Sequence, residues 1–300
     1  PCVYTLLQRK VPMIVLSQVI NGLILGTIYI LMALGLSLIR GTMGILNFAH
    51  GVLFTLGAYF TVKVAMLTNF WVGIIIGPIF VGFVGMFIQR FFMRRLQGKH
   101  ELFGLLLTFG MAYIIEDIVK IIWGVGGQPF NIPQSLGGFV NLGFLIYPTY
   151  RLFILGVTVL LLLALYIFLN KTKAGLIIKA GSKDLTMVSL LGIPVQKVFT
   201  LVFGLGTMLA GIAGALAAPM WGVQPTMGNK ILIPCFVVIC LGGMGSLIGA
   251  VVGGLIIGVA VSLAILIQPF FSDLIIYVIM ATVLLVRPRG LFGEVGEAYE

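Results

Sequence analysis

Apolar residues run in long blocks along this chain, and polar residues collect in the short gaps between them. Apolar segments cover 12–39, 52–67, 72–89, 102–123, 152–170, 198–217, 231–243, 246–268 and 273–286. Most approach the roughly 20 residues a helix needs to cross a bilayer, whereas 231–243 is too short to span comfortably. The pattern predicts an all-α fold: a polytopic transmembrane helix bundle of about 8–9 helices, with residues 1–300 forming a single transmembrane domain. The first apolar block is much longer than the roughly 7–15 residues of a signal-peptide core, so no removable signal peptide is expected.

Three gaps depart from simple linkers. Residues 124–151 are rich in Gly and Pro and read as an outer loop, and 218–230 (APMWGVQPTMGNK) reads as another. Residues 40–51 (RGTMGILNFAHG) are polar and glycine-containing but lie directly between two apolar runs. Irregular backbone at membrane depth is tolerated only where protein or a water-filled cavity satisfies it. A discontinuous helix beside a translocation pathway is therefore expected at 40–51. By the same reasoning 44–51, with Asn47 and His50, and 222–228, with Gln224 and Thr226, are expected to approach the route as irregular backbone. The rival expectation is that Asn47 and His50 only satisfy backbone groups at a helix break. Residues 41–59 and 242–260 both show a glycine-punctuated turn leading into an apolar helix. They form a candidate inverted repeat, an arrangement common in transporters.

Composition sharpens the class. The 300 residues are 60% hydrophobic and 9% charged, with a mean hydropathy of +1.20. A soluble domain carries roughly 25% charged residues, so the solvent of this chain is lipid. The net charge of +10 does not point to nucleic acid, because Lys and Arg sit in short clusters between apolar runs. Arg90, Arg94, Arg95, Lys99, Lys171, Lys173, Lys179, Lys183, Lys197, Arg287 and Arg289 fall on one set of connections. The opposite set holds little beyond Arg151 and Lys230. The positive-inside rule then makes the first set cytoplasmic, with the C-terminus inside and the N-terminus outside. Arg9 and Lys10 fit this poorly, and two elements within 12–39 would put the N-terminus inside.

Chemistry-bearing motifs are sparse. The nucleotide-binding pattern G-x-x-x-x-G-K-S/T does not occur, nor do H-E-x-x-H and G-x-S-x-G. His50 and His100 are far apart, and Cys2, Cys235 and Cys240 form no C-x-x-C pair, so neither catalysis nor a metal site is expected. Glu116 and Asp117 lie inside an apolar run and invite a proton-relay reading. Lys120, however, stands four and three residues on, where it can pair with both. The basic loop 171–197 contains Asp184 ahead of Leu185, Val188 and Leu191. This predicts a capped short helix over 185–191, ended by Gly192 and Pro194, resting on headgroups or docking a soluble partner.

Several of these stretches resemble one family. NGLILGTIYILMALGLSLIRGTMGILNFAHGVLFTLGAY (21–59) is similar to the N-terminal signature of the branched-chain amino-acid ABC transporter permeases, which include urea permeases. Gly44, Asn47, Phe48, Ala49, His50, Gly51 and Gly57 stand at its motif positions. KAGLIIKAGSKDLTMVSLLGI (173–193) matches the family's cytoplasmic loop at Gly175, Lys179, Ala180, Asp184, Leu191, Gly192 and Ile193, with Lys179 where the family usually has Arg. GVQPTMG (222–228) and LGGMGSLIGAVVGGLIIG (241–258) complete the likeness.

The resemblance implies a transport subunit rather than an enzyme, in a bacterial or archaeal cell (inner) membrane. It implies a second, non-identical permease subunit, two cytoplasmic ATPases that bind ATP, and an extracytoplasmic solute-binding protein that delivers the amino acid. The chain itself needs no cofactor and no metal. Phe48 and Gly51 join Asn47, His50, Gln224 and Thr226 as pathway residues. Gly175, Lys179, Lys183, Asp184, Leu191 and Gly192 become the ATPase-docking residues. The alternative is a secondary transporter or channel for a small polar solute, for which Glu116 and Asp117 would be the coupling carboxylates.

Overall fold

The long apolar blocks fold as helices because a backbone in lipid must satisfy its own hydrogen bonds. The structure, a computed structural model, describes residues 2–96, 99–141, 143 and 146–293; the side chains of 2–13, 183, 185 and 186 lie outside the description. Its helices are α1 (Cys2–Met43), α2 (His50–Leu67), α3 (Phe70–Phe91), α4 (Glu101–Trp123), α5 (Thr149–Lys171) and α6 (Lys173–Lys183). They continue as α7 (Leu185–Leu190), α8 (Val195–Trp221), α9 (Met227–Gly242), α10 (Leu247–Ile267) and α11 (Phe271–Val286). Seven of them, α1 to α5, α8 and α10, are long and apolar enough to cross a membrane, and α9 and α11 are shorter apolar helices. The chain is a multi-pass helical membrane protein.

Side-chain caps start several of these helices. Asn69 accepts from Val72 N at 2.9 Å before α3, and Ser246 accepts from Gly249 N at 3.0 Å before α10. Each satisfies one of the amide donors that a helix start leaves free.

The centre of the bundle is α1 with α8, the two most buried helices; α10 packs along α1, and α2 and α3 pack along α8. Glycine makes the α1–α10 seam: a Cβ at Gly22 would lie 2.6 Å from Val259 Cα, and one at Gly258 would lie 2.4 Å from the Gly22 carbonyl. Helices in lipid gain little from apolar contact alone, so close backbone approach of this kind supplies the packing. Helices α4 and α5 are peripheral, and side chains such as Phe103, Leu106, Ile121, Leu160 and Leu163 point outward.

Four expectations change. The block 12–39 belongs to one continuous helix that runs on to Met43, so the break is narrower than 40–51. The segment 231–243 starts earlier, at Met227, because the polar Asn229 and Lys230 form the first turn of α9. The outer loop is partly ordered: Phe139–Asn141 (β1) pairs antiparallel with Ile146–Pro148 (β2). The loop 171–197 holds two helices, α6 and α7, rather than one.

Candidate functional site

The two irregular segments meet. After α1 the chain turns at Gly44 (φ +70°), whose amide bonds the Arg40 carbonyl at 2.9 Å. The Arg40 guanidinium donates to the Gly44 carbonyl and pairs with Glu101 on α4 at 3.2 Å. The chain then climbs back along α1, so that His50, the first residue of α2, reaches Met32 in the middle of α1. Residues 44–49 are thus a non-helical stretch held between α1, α2 and α4.

Two backbone amides in this stretch are held by short polar side chains. Asn47 Oδ1 accepts from Ala49 N at 3.1 Å, and Phe48 N donates to Thr108 Oγ1 of α4 at 3.1 Å. The Phe48 ring packs against Phe236 of α9, with centroids 4.9 Å apart. His50 Nε2 lies 3.1 Å from the Met32 carbonyl, which can only accept, so Nε2 carries the proton. That leaves His50 Nδ1 an acceptor without a donor. Asn47 Nδ2 is likewise buried without a hydrogen-bond partner among the described residues. Both side chains are fully buried. Other buried polar atoms without a partner among the described residues lie elsewhere in the bundle, at Ser37, Tyr59, Thr61, Gln89 and Thr158.

The second segment joins the first through glycine. A Cβ at Gly228 would lie 1.9 Å from the Gly51 carbonyl, and one at Gly51 would lie 2.7 Å from the Gly228 carbonyl. Only residues without a side chain let the starts of α2 and α9 touch in this way. Thr55 Oγ1 accepts from Gly228 N at 2.9 Å. Above this contact, Gln128 and Val223 exchange backbone hydrogen bonds of 2.8 and 2.9 Å, so the loop after α4 clasps the segment after α8. Glu116 of α4 accepts from Asn229 Nδ2 at 2.8 Å and pairs with Lys120 at 2.8 Å, while Asp117 also pairs with Lys120 at 3.1 Å. The acids expected to pair with Lys120 do so, and one of them also fixes the first turn of α9.

A cavity of about 300 Å³ opens beside the start of α9, lined by Tyr29, Trp221, Gly222, Gln224, Met227, Lys230 and Ile231. Of the expected pathway residues, Gln224 lines it. Thr226 is exposed just ahead of α9, and Asn47, His50 and Gly51 are sealed in the helix contact beneath. Tyr29, Thr55 and Thr108 gave no sequence signal, since a single Tyr or Thr inside an apolar run reads as filler. Lys230 was visible only as a charge on the sparsely basic side.

The expected docking residues stand at the opposite end of the bundle, with Arg40. Thr172 caps α6 by accepting from Gly175 N at 3.0 Å, and Asp184 caps α7 by accepting from Met187 N at 3.0 Å. Ile178 packs with Leu38, Leu169 and Val202, seating α6 on α1, α5 and α8. Lys179 Nζ donates to Asn170 Oδ1 at 2.6 Å. Leu191 is exposed and Gly192 (φ +75°) ends the turn. The side chain of Lys183 lies outside the described residues.

The sequence profile described as "Branched-chain amino acid transport system / permease component" matches residues 18–284. The chain is 33% identical over 298 residues to the high-affinity branched-chain amino acid transport system permease protein LivH of Escherichia coli, covering 93% of this chain and 96% of LivH. It is 31% identical over 300 residues to the corresponding protein BraD of Pseudomonas aeruginosa, again covering 93% and 96%. A more distant match, 26% identical over 312 residues, is the permease protein LivM of E. coli, covering 93% of this chain and 71% of LivM. The chain therefore belongs to the permease-component family of branched-chain amino acid transport systems.

Proposed function

We propose that this chain is the membrane-spanning permease subunit of an ABC importer. It translocates branched-chain or related amino acids delivered by an extracytoplasmic binding protein and driven by partner ATPases. The observation that carries the reading is the family match across residues 18–284. The geometry supports a route: two breaks in helices meet at Gly51 and Gly228, below a cavity that reaches the surface. E. coli LivH and LivM both match this chain, which supports a pore of two non-identical permease subunits.

Sidedness follows from charge. Arg40, Arg90, Arg94, Arg95, Lys171, Lys173, Lys179, Arg287 and Arg289 gather at the end where α1 finishes, and by the positive-inside rule that end faces the cytoplasm. The α6–α7 segment at this end is the docking element for the ATPase, with Leu191 and Gly192 at its tip. Glu116 and Asp117 are both engaged by Lys120, which disfavours the reading of a carboxylate-coupled secondary transporter.

The test is uptake of radiolabelled leucine into proteoliposomes holding the chain with its second permease and ATPases. Uptake that requires both ATP and the binding protein is expected. Uptake driven by an ion gradient without ATP would overturn the importer reading.

A further inference from the structure

The cavity beside α9 is unequal in its chemistry. Trp221, Met227 and Ile231 give it an apolar wall, and Tyr29, Gln224 and Lys230 bring polar groups to the same space. Its size of about 300 Å³ matches the lower range of small-molecule sites.

Lys230 has no ion-pair partner among the described residues. The two acids of α4 do not serve it, because Lys120 holds both Glu116 and Asp117. The hydrogen bond from Asn229 to Glu116 fixes the first turn of α9 on the α4 side. The neighbouring residue on a helix points about 100° away, and the Lys230 side chain lines the cavity instead. The first amides of α9 are occupied as well: Met227 N by Gln224 O, Gly228 N by Thr55 Oγ1 and Asn229 N by Thr226 O. An anion here would therefore be met by the ammonium and not by the helix end.

Tyr29 supplies the independent observation. It is 7% exposed, lines the cavity and has no hydrogen-bond partner for its hydroxyl among the described residues. The hydroxyl oxygen is not sealed in the core, as those of Tyr59 and Thr61 are, so it is open to the cavity, where a partner can reach it.

We propose that this cavity receives the carboxylate of the transported amino acid. Lys230 supplies the counter-charge, Tyr29 donates to a carboxylate oxygen, and Trp221, Met227 and Ile231 take the aliphatic side chain. The Gln224 side-chain carbonyl is available to the substrate ammonium. The proposal rests on the amino-acid permease reading and assigns its substrate end by end.

The test uses the assembled transporter in proteoliposomes with its binding protein, reading leucine uptake and binding-protein-stimulated ATP hydrolysis in the same vesicles. Lys230→Met is expected to lower uptake about tenfold or more, as loss of a charge-assisted contact does, and to lower binding-protein-stimulated ATP hydrolysis with it, while the amount of assembled complex stays at the parent level. Lys230→Arg is expected to keep most uptake, and Tyr29→Phe to raise the half-saturating concentration. A chemical arm separates charge from packing. Lys230→Cys, assembled first and then treated with aminoethyl methanethiosulfonate, regains uptake, whereas neutral methyl and anionic sulfonatoethyl reagents do not restore it. Parent vesicles treated alike control for the native Cys2, Cys235 and Cys240. Uptake by Lys230→Met at the parent rate, or rescue of Lys230→Cys equally by the neutral reagent, overturns the proposal. Parent vesicles that take up no amino acid at all overturn the permease reading itself, and the proposal with it.

Discussion

At the scale of single residues, the contact between Gly51 and Gly228 makes the sharpest demand. A methyl group at Gly228 would overlap the Gly51 carbonyl at 1.9 Å, and the clash is with backbone, which cannot swing aside. Gly228→Ala is expected to destabilise the chain by about 1–3 kcal/mol through overpacking. Gly110 is the control: a Cβ there meets nothing within 4 Å. Gly110→Ala should be neutral or stabilising, by up to about 1 kcal/mol, since it only reduces the freedom of the unfolded chain. Thermal melting of the purified complex separates the two, and equal melting points would refute the packing argument.

Asn47 and His50 pose a different question. Asn47 Oδ1 and His50 Nε2 satisfy backbone groups at the break, as a structural role requires, and Nδ2 and Nδ1 are left over. Asn47→Leu and His50→Leu are each expected to lower uptake more than they lower the amount of assembled complex. A mutant that assembles normally and transports at the parent rate would return these residues to simple backbone satisfaction. That these two stand at a break in the helices was readable in the sequence, since polar residues beside glycine interrupt the apolar run there. Thr55 and Thr108, which satisfy the same breaks, were not readable. A threonine in a membrane helix usually bonds its own backbone, and only the fold shows that these two reach another segment.

At the scale of elements, the α6–α7 segment shows where local signals suffice. Asp184 ahead of a short periodic run specified α7, and the cap forms as the sequence required. Helix α6 escaped notice because its glycines and lysines read as loop; packing of Ile178 against Leu38, Leu169 and Val202 outweighs that composition. The same difference separates two roles. Lys179 is engaged by Asn170, so charge reversal there disturbs the α5–α6 joint as well as any partner. Met187, Leu190 and Leu191 are exposed apolar residues on the far side of α7 and its turn. Leu190→Ser with Leu191→Ser is therefore expected to weaken co-purification of the ATPase while leaving membrane insertion intact. Full recovery of the ATPase with this double mutant would remove α7 from the docking site.

At the scale of the whole molecule, the apolar elements and which loops share an end of the bundle were legible from apolar length and the spacing of basic clusters, although seven of the nine described apolar helices, and not eight or nine, are long enough to cross a membrane. The depth of the breaks was not, because it depends on which helices meet. Continuity of α1 from Cys2 to Met43 removes the alternative of two elements in its place. Asn21, toward the start of α1, accepts from Tyr147 and Arg151 beside the long loop after α4, whereas Arg40 meets Glu101 at the opposite end. The loop 124–148 and the basic clusters therefore lie at opposite ends of the same helix. Single cysteines at the exposed positions Lys99 and Ser182 are expected to react with an impermeant maleimide only from the cytoplasmic side. A cysteine at the exposed Gln134 is expected to react only from outside. Ser182 is preferred to the adjoining Gly181, which is buried and would hide its label. Labelling of Gln134 and Ser182 from one face would contradict the fold itself. Reversal of all three would keep the fold and show that the charge asymmetry does not set the orientation of this chain.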